Sequence, residues 1–168
     1  MIMHEQSIDI LNKAISEEMT ASHQYMYFHF HCDDQSLGLL ANLFRRIAIE
    51  EMMHIEDLAE RILFLGGEVE LEASDEVKKI NDVKEMLAYA AHLEKTSVKE
   101  YNEFAQQCNQ WGDSVSKRLF HKLVEDEEGH YDIFDTEMGH IERFGSHYLA
   151  LQSIERTKIV GEHDEPPH

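Results

Sequence analysis

Two short strings carry the chemistry of this chain. Glu51-Met52-Met53-His54 and Glu127-Glu128-Gly129-His130 both read Glu-x-x-His. On a helix, residues three apart differ by about 300° and one turn of rise, so the carboxylate and the imidazole reach the same point. Glu18 and Glu94 add one carboxylate each from two further helical stretches. The sum is four Glu and two His from four segments. That donor set suits a di-iron or di-manganese carboxylate centre, where two helices give one Glu each and two give Glu-x-x-His. The mixed oxygen and imidazole donors favour a borderline divalent metal such as iron. Burial of four carboxylates side by side is tolerable only with cations present.

The six candidate ligands share one register. Shifting the chain by 76 residues aligns Leu11/Leu87, Ala14/Ala90, Glu18/Glu94, Thr20/Thr96, Tyr25/Tyr101, Phe28/Phe104, Cys32/Cys108, Leu43/Leu119, Phe44/Phe120, Glu51/Glu127 and His54/His130, eleven identities between residues 11 and 54. Ordinary residue usage gives roughly two or three by chance. The chain therefore reads as a duplicated helical hairpin, and packing about a pseudo-twofold axis brings equivalent residues together.

The elements that must position these residues are long amphipathic helices. The first runs from about Glu5 to His31, with Ile8, Leu11, Ile15, Met19, Ser22, Met26 and Phe30 as its inner stripe. Ser36 is the expected N-cap of the second, which runs to about Leu65 before Gly66-Gly67. A polar link over 68–81 precedes a third helix from about Asp82 to Gln110. Trp111-Gly112-Asp113 turns into a fourth, capped by Asp113 or Ser114 and ended by Gly145. A short fifth helix is expected over 147–157. One domain over 1–158 and a frayed tail over 159–168 complete the division. The short links predict two antiparallel hairpins. The middle link is long enough to run the length of the bundle and make helices two and three parallel. The fold class is all-α: a four-helix bundle with one long crossover and a short fifth C-terminal helix.

Composition narrows the function. Thirty-four acids against fifteen Lys and Arg give a net charge of −19, which argues against nucleic acid as a partner. No apolar run approaches membrane-spanning length and the N-terminus lacks a leader pattern, so a cytoplasmic protein without a membrane partner is expected. Cys32 and Cys108 lie fourteen residues beyond Glu18 and Glu94. With helices one and three antiparallel they sit near opposite ends of the bundle as free, buried thiols. Tyr25 and Tyr101, seven residues beyond the same glutamates, return to nearly the same face. Each hydroxyl can serve a ligating carboxylate or be satisfied elsewhere in the core. Met52 breaks the repeat, because its counterpart is Glu128. It points about 100° away from Glu51, out of the metal site, where packing or an oligomer contact is its simplest role.

The strings IAIEEMMHIEDLAERILFLGG and LVEDEEGHYDIF, with SEEMTASHQY and AAHLEKTS, resemble bacterioferritin over about residues 7–157. The resemblance implies a ferritin-like bundle and a hollow shell of 24 subunits built from dimers. It implies a ferroxidase that oxidises Fe2+ with O2 or H2O2 at an intrasubunit site for two iron ions, and iron stored as ferric mineral. Carried over residue by residue, that site is Glu18, Glu51, His54, Glu94, Glu127 and His130. The resemblance also implies haem b shared between two subunits with Met52 as its ligand. Met19, Met26, Ile49 and Met53 are candidate walls of that pocket and Arg45 a candidate propionate partner, with His23 adding polarity. A ferredoxin-type electron donor is a possible partner. An inner-surface iron site in the family uses a His and an acid before the first Glu-x-x-His; Arg46 stands at the His position and Glu50 keeps the acid, which argues against a complete surface site here. The alternative is a rubrerythrin-like peroxidase or another di-metal peroxidase or catalase on the same bundle, although no Cys-x-x-Cys module is present.

Overall fold

The computed structural model describes residues 4–163, with side chains as far as Glu155. Among the described residues five helices follow one another: α1 (Glu5–Asp34), α2 (Gly38–Phe64), α3 (Val83–Gln110), α4 (Ser114–Phe144) and α5 (Ser146–His163). The first four are 27 to 31 residues long, so each spans about 40–45 Å.

Two apolar clusters, one at each end of the bundle, fix the helix directions. One joins the end of α1 (Tyr25, Phe28, Cys32) and the start of α2 (Leu40, Phe44) to the start of α3 (Met86, Leu87) and the end of α4 (Phe134). The other joins Leu11 and Ile15 of α1 and Leu58 and Ile62 of α2 to Tyr101 and Phe104 of α3 and Phe120 of α4. Helices α2 and α3 thus run parallel, and α1 and α3 antiparallel, as the long link predicts. Cys32 and Cys108 fall into opposite clusters as free thiols, and burial pushes them up to about 12 and about 11. The layer between the two clusters holds the buried charged residues described below.

The crossover between α2 and α3 is laced to α1 by polar side chains. Asn12 donates to the Glu68 carbonyl and accepts from Glu70 N–H, and Gln24 does the same with both backbone groups of Lys78. Between them Thr20 accepts from the Ser74 and Asp75 N–H groups. These residues satisfy a long irregular segment that has no helix of its own to supply partners. Gly67 lies against α1 so closely that a Cβ there would come 2.7 Å from Ile8 Cγ2.

Helix ends show where local sequence and structure part. Ser36 is not the cap of α2. It takes a left-handed backbone (φ 63) and stops α1, with Ser36 N–H bonded to Asp33 O and Leu37 N–H to Cys32 O. Its repeat mate Gly112 (φ 74) ends α3 through the same pair of bonds. Leu37 then precedes α2 without a side-chain cap, and the Leu40 N–H is satisfied instead by Gln152 Oε1 of α5. Asp82 and Asp113 do cap α3 and α4, accepting from Glu85 and Ser116 N–H. Helix α5 extends beyond the expected 147–157 to His163, so 159–163 are helical rather than frayed; residues 164–168 lie outside the described part. The inner stripe of α1 also shifts from the apolar expectation. Phe30 is 60% exposed and Met19 and Met26 are half-buried, while Glu18, Tyr25 and Cys32 are buried. Counting only apolar side chains followed the flank of that face, because its centre is occupied by the polar residues of the site.

A non-glycine residue in the left-handed region costs about 1 kcal/mol or more. Ser36→Gly is therefore expected to raise stability by up to about 1 kcal/mol, read as a higher denaturation midpoint; an unchanged or lower midpoint would contradict this reading of the turn.

Candidate metal centre

Glu18 comes from α1, Glu51 and His54 from α2, Glu94 from α3, and Glu127 and His130 from α4. All six are buried, none more than 5% exposed. They form two overlapping groups: Glu18, Glu51, His54 and Glu127, and Glu51, Glu94, Glu127 and His130. Within each group, one ligand atom from every residue lies within 4.8 Å of the others. Glu51 and Glu127 belong to both groups, so each could serve two ions, while Glu18 with His54, and Glu94 with His130, belong to one group each. The pseudo-twofold axis thus brings all six sequence-selected residues to one place.

The donor atoms fit a metal. His54 Nδ1 lies 3.0 Å from both Glu51 Oε2 and Glu127 Oε1, and His130 Nδ1 lies 3.0 Å from Glu51 Oε1. Yet Glu51 Oε1, Glu94 Oε2, Glu127 Oε1 and His130 Nδ1 have no aligned hydrogen-bond partner. Buried polar atoms left so are expensive unless a cation meets them. These orphaned atoms converge on one another, so Glu18, Glu51, His54, Glu94, Glu127 and His130 are the residues that could hold divalent ions, without a thiolate.

Protons take the place of that charge in the metal-free protein. Burial, then Glu127, Glu94 and Glu18, push the Glu51 carboxyl well above its usual range. Burial and Glu127 push Glu94 up to about 8. Burial lowers the proton affinity of His54 and His130, but the close carboxylates of Glu127 and its neighbours outweigh it and raise both. Burial and Glu18 press Glu127 upward, but hydrogen bonds with Glu94, His130 and His54 hold it below the usual carboxylate range.

Two tyrosines complete the interior. The Tyr25 hydroxyl of α1 donates to Glu94 of α3, and the Tyr101 hydroxyl of α3 donates to Glu18 Oε1 of α1 at 2.6 Å. Burial, then the facing carboxylates, raise both phenols well above their usual value, so they remain donors. Each Tyr serves the carboxylate of the other hairpin.

The sequence offers no role for Asp126, and for Glu50 only that of a surface acid before the first Glu-x-x-His. His54 Nε2 lies 3.1 Å from Asp126 Oδ2, and His130 Nε2 lies 2.6 Å from Glu50 Oε2. The register held the signal, since Glu50 and Asp126 are 76 apart, but they match in charge and not in identity. Met52 is 56% exposed and stands outside both ligand groups. Met53, expected beside it, instead lines a pocket with His54, Asp126 and Lys122 on the α4 side, because one residue turns the helix by about 100°.

Ligands must shed protons to bind metal. Because His54, His130, Glu51 and Glu94 have raised proton affinities in the folded protein, an ion must compete with protons for them, and affinity is expected to rise with pH. Calorimetric Zn2+ titration in two buffers of different ionisation enthalpy should give different heats; identical heats would contradict this protonation pattern.

The chain and its fold have counterparts among known proteins. The model of the ferritin-like domain matches residues 8–144. A bacterioferritin of Desulfovibrio desulfuricans is 38% identical over 143 residues, covering 85% of this chain and 80% of that one. One from Rhodobacter capsulatus is 37% identical, covering 86% and 89%. A crystal structure of the D. desulfuricans bacterioferritin, described by its diiron site in different catalytic states, superposes with a TM-score of 0.86 at 36% identity, covering 88% of this chain and 86% of that one. The R. capsulatus structure, described with a metal-free dinuclear site and heme iron in a crystallographic special position, gives 0.86 at 34% identity, covering 91% and 96%. With its two Glu-x-x-His motifs, paired glutamates and five-helix order, the chain belongs to the bacterioferritin family.

Proposed function

We propose that the chain is an iron-storage ferroxidase that binds two Fe2+ ions as substrate within its own bundle. The observation that carries this reading is the pair of overlapping ligand groups sharing Glu51 and Glu127. Each Fe2+ gives up one electron to O2 or H2O2, and the product Fe3+ passes to a mineral store. Four carboxylates stabilise the harder Fe3+ more than Fe2+ and so pull the couple toward oxidation. Glu51 and Glu127 hold the ions side by side; Glu18 and Glu94 balance their charge at either flank, held in turn by Tyr101 and Tyr25. His54 and His130 each present Nδ1 from outside the carboxylate ring.

The finer reading concerns assembly and haem. Phe30, Leu63, Phe64 and Leu71 are large apolar side chains, each at least 60% exposed, which a shell of 24 chains built from dimers would cover. Met52 is exposed on α2 one residue after Glu51, and it breaks the internal repeat, as a site on a dimer axis would. It supplies a thioether ligand to a haem b shared by two chains, with Ile49, Met19 and Met26 as walls and Arg45 for a propionate. Thioether ligation suits an electron-transfer haem, which fits a ferredoxin-type donor that returns stored iron to Fe2+. None of the helices among the described residues is long and apolar enough to cross a membrane, consistent with action in the cytoplasm.

Glu94→Ala and His130→Ala each remove an ion's ligand. Stopped-flow absorbance of ferric product should show Fe2+ oxidation slowed by more than about 100-fold, since partners outside the ligand set alone cost roughly 10- to 100-fold. Wild-type kinetics in either variant would overturn the assignment. Met52→Leu should lose the low-spin haem absorbance after reconstitution while light scattering still shows a particle of several hundred kilodaltons. Unchanged haem uptake would return Met52 to interface packing.

A further inference from the structure

The duplication preserves more than the six ligands. Immediately before each ligand Glu stands a second acid, Glu50 in α2 and Asp126 in α4, 76 residues apart. Four residues before each acid stands a cation, Arg46 and Lys122, again 76 apart. These pairs keep charge and spacing without keeping residue type, as expected where a role rather than a shape is retained.

Their contacts cross between the two hairpins. Asp126 of α4 meets His54 of α2, and Glu50 of α2 meets His130 of α4. In both cases the atom met is Nε2, the outer nitrogen, while Nδ1 faces the buried carboxylates. Neither acid belongs to a ligand group, and each side chain is 43% exposed. They are therefore rim residues acting on the histidines from behind. Arg46 Nε lies 3.7 Å from Glu50 Oε1 on its own helix. Lys122 reaches across to Asp57 Oδ2 of α2 at 2.6 Å and lies close enough to Asp126 to feel its charge.

We propose that Asp126 and Glu50 are positioning residues for metal binding: each accepts the Nε2–H of the histidine on the opposite helix and so locks that ring with Nδ1 turned toward the four carboxylates. A neutral imidazole has one N–H, and a partner that accepts it at Nε2 leaves the Nδ1 lone pair for the ion. Because the bonds cross, each clamp also ties α2 to α4 on the side of the bundle where the ions must be held. Asp126 governs the ion bound by Glu18 and His54, and Glu50 the ion bound by Glu94 and His130. This rests on the two-metal reading above.

The test titrates the metal-free, assembled protein with Co2+ and reads visible absorption. Wild type is expected to take two ions per chain. Asp126→Ala should weaken one of the two binding steps by roughly 10- to 100-fold, and Glu50→Ala the other. Asp126→Asn, which keeps an acceptor oxygen and drops the charge, should recover most of the loss. In a His54→Ala background, Asp126→Ala should cost nothing further, since its effect passes through the ring. Helix content and particle size confirm that each variant is assembled. Wild-type Co2+ binding in both alanine variants overturns the proposal. So does an Asp126→Ala loss that persists without His54, and so does an Asn variant as weak as the alanine, which would mark a charge effect alone. Failure of the wild type to take two ions would instead overturn the two-metal reading.

Discussion

Four carboxylates buried at one point are the constraint around which this molecule is arranged. Glu18, Glu51, Glu94 and Glu127 are at most 2% exposed, and bringing them together without compensation is strongly unfavourable. Raised proton affinities at His54, His130, Glu51 and Glu94 ease that cost in the metal-free protein, and two divalent ions would offset it in a loaded one. The rest of the interior is divided accordingly. Apolar packing is pushed into two clusters at the ends of the bundle, and these supply the burial that keeps the charged middle layer assembled.

The pseudo-twofold axis lets one hairpin design meet the constraint twice. The contacts that the two tyrosines and the two rim acids make with the centre cross between the hairpins. Tyr25 reaches Glu94 and Tyr101 reaches Glu18, while His54 meets Asp126 and His130 meets Glu50. Symmetry is broken where the two halves meet different surroundings. The turn that uses Gly112 between α3 and α4 uses Ser36 between α1 and α2, and α2 draws its missing cap from Gln152 of α5. Phe134 occupies the repeat position of Leu58, so the cluster around Tyr25 gains a ring that the cluster around Tyr101 lacks. Met52, opposite Glu128 in the repeat, is the exposed counterpart of these differences.

Most of the centre was legible in the sequence because metal chemistry demands residue types, and helical geometry demands spacings, that survive duplication as identities. The helix order, the parallel α2 and α3 and the convergence of the six candidate ligands follow from that. The remainder was hidden for physical reasons. Ser36 reads as a cap by composition, but its backbone is set by the turn that must bring α2 back along α1. Gln152 caps α2 from more than a hundred residues away, which no local pattern encodes. The stripe of α1 was misplaced because its true centre is Glu18 and Tyr25, polar residues that an apolar count skips. The contacts of Asp126 with His54 and of Glu50 with His130 are hidden because they need only a carboxylate oxygen at a given place, which Asp and Glu both provide.

Anomalous X-ray diffraction from crystals soaked in Fe2+ without oxygen tests the central claim most directly. The expected result is two iron peaks per chain about 3.5–4 Å apart, the separation usual for paired metal sites, each between Glu51 and Glu127 with one further Glu and one His. A single peak, or iron held only at the exposed acids while the six buried residues keep their metal-free contacts, would contradict the account.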